Sequence, residues 1–555
     1  MRISLSSTFV LLSTLFPAYG VHARCRNVPG SAGFPGADQW STLNTTVNGN
    51  LVAVVPSAKY CADIPGGCTE VEWTSALFRS TIPGAMNQVN FEQGYDLTPP
   101  SVCLQNSTTT CGQGDVPIYA VEAETVADVQ AAVQFAQTYD LRIAVKSSGH
   151  DYLGRSTAPN SLLIHMRKFT NVNFTDGFMV NGQNMGSAVT VGPGVHLQDV
   201  YLQSLAQGKI VVGGTAATVC PAGGYLQGAG HSAIAPLLGL AADNALEFQI
   251  VVSSGQLLTV NKASNSDLFF ALRGGGAGSW GVIVSATVRT FPTFNVTGSV
   301  IELAASSNTA AAALAGVHAQ HIFDLDTIRG GQYFYLEVTN GIPVMTITTV
   351  MPNTTMDEGT ALLTPFLNDA LAIPGVSLIS QNSQTAPVNE VLYMSDDAAG
   401  FNLVLGSRLI PTTAYQATNA SATVEAVYKR LLDAGTLGIL GNLVAGGQVS
   451  ANADIVSALI LANEWFDSAS LSDIDTIRHT FQTTGLPILE QLSGADAGSY
   501  SNEADLFEPD FQTTFYGPNY AKLSAIKSVY DPSDLFIVAA GVGSERWDEW
   551  GLCTV

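Results

Sequence analysis

Residues 213–232 run Gly213-Gly214-Thr215-Ala216-Ala217-Thr218-Val219-Cys220-Pro221-Ala222-Gly223-Gly224-Tyr225-Leu226-Gln227-Gly228-Ala229-Gly230-His231-Ser232. So glycine-rich a stretch lets its backbone approach a ligand closely. It contains no Lys or Arg, so any anion it meets must be held by backbone N–H groups. Apolar residues are interleaved throughout, which argues against a flexible linker. A backbone of this kind can lie flat against a large planar or pyrophosphate-bearing ligand.

Two further blocks share that texture. Val145-Lys146-Ser147-Ser148-Gly149-His150-Asp151-Tyr152-Leu153-Gly154-Arg155-Ser156 follows a short apolar strand and sets small residues and one imidazole into a tight turn. Successive N–H groups in such a turn form an anion-binding nest, with His150 at its edge. Gly276-Ala277-Gly278-Ser279-Trp280-Gly281 matches the dinucleotide pattern G-x-G-x-x-G letter for letter. Its context is wrong, because the fingerprint opens a helix after a strand, whereas here a helix precedes and a strand follows. A nicotinamide-dependent Rossmann domain is therefore excluded.

At 555 residues, two or three domains are expected. Hydrophobic residues at 46% against 12% charged describe a well-buried globular chain. A net charge of −23 excludes nucleic acid as a partner, since that needs clustered Lys and Arg. Residues 1–23, with Arg2 ahead of an apolar run and small residues at the cleavage positions, read as a secretory signal. No later apolar stretch is long enough for a membrane anchor. Six sequons, at Asn44, Asn106, Asn173, Asn295, Asn353 and Asn419, suit a secreted glycoprotein. Of seven cysteines, six can form three disulfides, with Cys61/Cys68 and Cys103/Cys111 as attractive pairs by proximity, leaving Cys220 as a buried thiol. His318 and His321 stand at helical spacing with no third ligand in view, so helix-surface histidines and no metal site are expected.

Residues 24–114, rich in Gly, Pro and Asn, read as an N-terminal extension stapled by disulfides rather than by a large core. From Val116 a β-α-β pattern begins: a strand at 117–121, a helix from Val126 to Tyr139 capped by Thr125, and strands at 141–145 and 162–165. A hairpin is expected at 246–260. Further on, 332–338, 344–350 and 401–409 alternate as antiparallel strands, and 422–434 and 476–492 are amphipathic helix candidates.

The Ser148-Gly149-His150-Asp151-Tyr152 and Leu272-Arg273-Gly274-Gly275-Gly276 strings, with the glycine block between them, resemble the vanillyl-alcohol-oxidase superfamily of FAD-binding proteins, nearest its berberine-bridge-enzyme-like branch. The resemblance spans about 116–292 and resumes near the C-terminus. It implies an α+β fold: a two-subdomain PCMH-type FAD-binding domain (115–296) with an inserted antiparallel-sheet-plus-helices substrate domain (297–510), and a segment (511–555) returning to the FAD domain. It implies FAD contacts from Ser147, Ser148, Gly149, Asp151, Gly154, Arg155 and Ser156 in the first block. The second block would add Gly214, Thr215, Thr218, Gly223, Gly224, Gly228, Gly230 and His231, the third Gly281, Val282 and Ile283, and the C-terminal segment Asn519. His150 would be the covalent tether. Many relatives have a second, cysteinyl tether, but Ala216 occupies that position, with Cys220 four residues late, so attachment through His150 alone is expected.

Gly498–Asp505 resembles the family's Tyr-x-Asn segment beside the flavin, which makes Tyr500 and Asn502 the catalytic candidates. Tyr516, Tyr333 and Glu337 are alternatives for the base, a phenol serving only if its pKa is lowered. Relatives often carry a Pro-Ala-Trp-Arg string where this chain has Asn452-Ala453-Asp454-Ile455, which weakens any inference about substrate. Val219, three residues past Ala216, matches the family's oxygen gate, where Val accompanies oxidases and Leu dehydrogenases. The expected function is a secreted, monomeric FAD-linked oxidase that takes a hydride from an alcohol-type or related C–H donor and passes it to dioxygen as hydrogen peroxide. The alternatives are a dehydrogenase or oxidative cyclase of secondary metabolism, or a non-catalytic secreted binding protein. Its partners are then a small molecule and dioxygen, with no membrane.

Overall fold

The computed structural model describes residues 24–105, 111–451 and 455–555. The expected signal segment, the sequon at Asn106 and the Asn452-Ala453-Asp454 stretch lie outside the described residues.

The architecture is α+β, built on three main sheets. The first has the order Leu51–Ala53, Tyr119–Glu122, Ser161–His165, Arg142–Lys146; the last three strands are parallel. Parallel strands need a crossover connection, and helix Val126–Thr138 carries the chain from Tyr119–Glu122 to Arg142–Lys146, with Ser161–His165 between them in the sheet. Thr125 caps it through its Oγ1, which accepts Asp128 N at 3.2 Å. The helix buries Val129, Ala132, Val133 and Ala136, one face at helical spacing, over Ile143 and Leu162.

The second sheet is antiparallel, ordered Leu257–Asn261, Ala245–Val251, Val282–Arg289, Ala188–Val191, Val172–Thr175. The expected hairpin falls here. The third sheet has seven antiparallel strands, ordered Val376–Pro387, Asn295–Ala305, Ile342–Pro352, Gly331–Thr339, Gly438–Leu443, Ile455–Trp465, Asn402–Pro411. Its alternation separates two faces. Phe334, Leu336, Ile439, Leu459 and Leu461 pack with Leu314, Tyr428, Leu431 and Leu489 of the covering helices, whereas Tyr333, Tyr335, Leu440 and Ile460 face the other way.

Three expectations need correction. Residues 24–114 are not held by disulfides alone: helix Ala37–Thr46 buries Trp40 and Leu43 in the first core, and Leu51–Ala53 is an edge strand of the first sheet. The helix expected over 476–492 is two, Leu471–Thr480 and Leu486–Ser493, joined by a π-turn over Phe481–Gly485. Pro487 has no N–H to give the α-ladder, so the register slips just ahead of it. His318 is buried rather than on the helix surface, its Nε2 2.6 Å from Gln332 Oε1.

Cys61–Cys68, Cys103–Cys111 and Cys25–Cys553 are bonded, and Cys220 is free and buried. Of the described sequons, Asn173, Asn295, Asn353 and Asn419 are exposed, while Asn44 is half-buried and accepts Leu51 N at 3.1 Å. Among the described residues no helix is long and apolar enough to cross a membrane.

Candidate active site

A cleft of about 1560 Å³, counting its open mouth, runs between the three glycine-rich blocks and is roofed by the inward face of the seven-stranded sheet. The first block enters it from the end of strand Arg142–Lys146. Gly149 has φ +91°, a conformation L side chains avoid, and its missing Cβ would stand 3.3 Å from Ala85 O. Asp151 organises the turn: its carboxylate accepts Leu153 N at 3.1 Å, Arg155 Nε at 3.3 Å and Ser156 Oγ at 3.1 Å. Ser147, Ser148 and His150 line the cleft with them.

The second block is fixed from behind. Tyr201 Oη donates to Gly214 O at 2.7 Å, and Leu197 N donates to Val219 O at 2.9 Å. Gly214, Thr215, Ala216, Val219, Gly223, Gly224 and His231 line the cleft. Cys220 does too, but burial pushes its thiol up to about 12, so it is a neutral group there. The third block contributes Gly281 and Ile283. It is propped by buried Lys527, whose Nζ donates to Ser279 O at 2.7 Å and Phe536 O at 2.6 Å.

Several expected contacts are not part of the cleft wall. Thr218 stands behind His150. Gly228 is packed under Asn502, whose amide nitrogen would lie 2.1 Å from an added Cβ. Gly154 opens into a neighbouring cavity beside Phe91, Gly230 packs on the Tyr225 ring, and Val282 belongs to the first core. Asn519 is exposed, at the residue just before the terminal helix Tyr520–Tyr530. Tyr516 is buried beneath the third block, its Oη donating to Ala540 O at 2.9 Å, so it cannot act as a base in the cleft. Glu337 is exposed on its strand, outside the cleft.

Tyr500, Asn502 and Tyr333 do line it. Asn502 is the hub: its Nδ2 donates to Tyr500 Oη at 3.0 Å and its Oδ1 accepts Arg155 Nη2 at 3.1 Å. Burial, reinforced by Glu503, pushes the Tyr500 phenol up, and burial does the same for Tyr333. The lowered pKa that a phenol base requires is therefore absent at both.

Sequence reasoning missed three polar groups. Glu503 sits with Oε1 3.0 Å from His231 Nε2, and its Oε2 accepts Asn442 Nδ2 at 3.0 Å. The other imidazole nitrogen of His231, Nδ1, lies 3.1 Å from Tyr333 Oη. All four groups line the cleft. Asp397, from the loop before strand Asn402–Pro411, reaches across to the first two blocks. It accepts Ala217 N at 2.8 Å and Thr218 N at 2.7 Å, and stands 3.2 Å from His150 Nε2. Glu503 was within the recognised C-terminal string; Asn442 and Asp397 had no sequence signal.

Residues 117–261 match the family described as FAD binding domain, and residues 499–543 the family described as berberine and berberine like. An FAD-linked oxidoreductase of Arthroderma benhamiae is 35% identical over 566 aligned residues, covering 96% of each chain. The VAO-type flavoprotein oxidase VAO615 of Thermothelomyces thermophilus is 32% identical over 548, covering 94% of each. The crystal structure of the VAO-type flavoprotein MtVAO615 from Myceliophthora thermophila C1 matches with a TM-score of 0.84 at 29% identity, over 96% of this chain and 100% of that one.

The cleft suits FAD. Its walls are the small residues and backbone of the glycine blocks, which let a planar or pyrophosphate-bearing group approach closely. Gln227, on that wall, buries an Oε1 with no partner among the described residues, an acceptor left for a bound group. These matches run the length of the protein and meet in the cleft: the chain belongs to the berberine-bridge-enzyme-like branch of the vanillyl-alcohol-oxidase superfamily and is an FAD-linked oxidoreductase.

Proposed function

We propose that this chain is a secreted oxidase that holds FAD covalently through His150, oxidises a small C–H donor seated under the seven-stranded sheet, and uses dioxygen as electron acceptor. The observation that carries the reading is His150 itself. It lines the cleft with Nε2 already engaged, while no hydrogen bond among the described residues reaches Nδ1. Bound there, the flavin supplies hydride acceptance and two-electron transfer to oxygen. The protein's share is placement and proton handling. Tyr333, Tyr335, Leu440 and Ile460 roof the cleft and position the donor. Glu503 takes the donor's proton, with His231 on one carboxylate oxygen and Asn442 on the other. An alcohol-type donor suits this pairing, because removing its O–H proton accompanies hydride loss. The three disulfides and four exposed sequons support an oxidising, extracellular location; recovery of the protein from culture medium checks it.

Acid-precipitated protein is expected to stay yellow, and His150→Ala to release its FAD on denaturation. Flavin released from the native protein by acid would end the tether reading. Val219 is half-buried on the cleft wall, so Val219→Leu adds one methylene to a close-packed surface. Stopped-flow reoxidation by air is expected to be rapid in the native enzyme and clearly slower in that variant, with reduction by donor little changed. Sluggish native reoxidation would favour the dehydrogenase reading instead.

A further inference from the structure

His150 Nε2 has two neighbours, Thr218 Oγ1 at 2.8 Å and Asp397 Oδ2 at 3.2 Å. Thr218 has one hydroxyl proton, and its Oγ1 lies 2.7 Å from the same Oδ2. Asp397 also accepts the backbone N–H groups of Ala217 and Thr218. Burial opposes its charge, but His150 and these donors outweigh burial and hold the carboxyl down at about 2. A carboxylate can only accept, so the Thr218 hydroxyl points its proton at Asp397 and offers His150 lone pairs alone. Both groups facing Nε2 are then acceptors. The single proton of the neutral imidazole must sit on Nε2, which leaves a bare lone pair on Nδ1.

We infer that Asp397 and Thr218 are positioning residues for flavin attachment, locking His150 in the Nε2–H tautomer so that Nδ1 is the nucleophile offered to the flavin methyl carbon. The inference rests on the reading of His150 as the tether. Forming the Nδ1–C bond breaks one methyl C–H bond. Its proton and two electrons pass to the flavin ring and then, with one solvent proton, to dioxygen as hydrogen peroxide. The imidazole keeps its Nε2 proton and becomes a cation paired with Asp397.

The clamp also joins separate layers of the fold. Asp397 comes from the seven-stranded-sheet side, and its loop is pinned to the N-terminal segment: Asp396 Oδ1 accepts Leu77 N at 2.9 Å, and Ala76 N donates to Asp397 O at 3.0 Å. His150 is therefore set for attachment only once the sheet layer has docked on the glycine blocks, so the tether records completed folding.

The test measures covalent flavin by in-gel fluorescence and by the mass of the peptide containing His150, in full-length protein as expressed. In Asp397→Asn an amide N–H faces Nε2 and favours the opposite tautomer. We expect at least a tenfold loss of covalent flavin, with total FAD content and thermal midpoint close to native, the FAD then being held without the tether. Thr218→Val should slow attachment severalfold and Thr218→Ser should restore it. Native covalent occupancy in Asp397→Asn overturns the inference, as does loss of FAD binding together with the tether, which marks a merely structural role. Should Asp397→Asn fail to fold, equal attachment in Thr218→Val and wild type overturns it. Wild-type protein without flavin on His150 refutes the tether reading itself, a separate result.

Discussion

Arg79→Met is expected to cost about 3–5 kcal/mol, the largest stability loss of any single substitution argued for this protein. Arg79 and Glu92 are each 1% exposed and lie 2.7 Å apart. The guanidinium also donates to Met86 O and Ser57 Oγ and lies over the Trp73 ring at 4.7 Å. Glu92 in turn accepts Ser57 N at 2.8 Å and Met86 N at 2.9 Å. Removing the cation leaves a carboxylate buried without its counter-charge, which costs far more than the intact pair contributes. The consequence reaches the cleft, because the segment this pair shapes supplies Ile82 O, Pro83 O and Ala85 O to buried Lys146 Nζ, at the mouth of the first glycine block. Denaturant midpoints of the native and variant proteins check the loss, and Arg79→Met with Glu92→Leu should recover most of it. A single variant within 1 kcal/mol of native would show the pair to be dispensable.

Glu503→Gln is expected to lower kcat/KM by about 10²–10⁴, the usual contribution of a positioned general base. Glutamine keeps the shape and can still accept from Asn442, so the loss isolates the proton-accepting role rather than packing. An oxygen-consumption screen over alcohols, oligosaccharides and secondary-metabolite alcohols supplies the donor for the measurement. Tyr500→Phe should cost much less, since burial keeps that phenol protonated. The reverse ranking would return the role to Tyr500.

The two readings of Tyr500 show where sequence stops. The segment around it was legible because a short string marks its place beside the flavin. Which of Tyr500, Asn502 and Glu503 handles the proton depends on burial and partners that no string contains. Local periodicity was enough for helix Val126–Thr138 and for the 245–261 hairpin, whose hydrogen bonds are made between near neighbours in sequence. It could not give the order of the seven-stranded sheet, where Asn295–Ala305 pairs with Val376–Pro387 across more than 70 residues. Asp397 is the extreme case. It lies 247 residues from His150, on a loop with no periodic pattern, and becomes meaningful only through where the fold puts it. Tyr516 and Asn519 err in the other direction: their string was recognised, but Tyr516 packs with Leu523 and Ile526 of the terminal helix and Asn519 is exposed ahead of it.

The Cys25–Cys553 bond spans 528 residues and closes nearly all of the described chain into a ring. A ring must be cut twice before it yields two pieces. A protease finds its openings at exposed loops, and a single nick in any of them within the ring leaves both halves covalently joined. What would sever an open chain becomes, for this one, a change of connectivity.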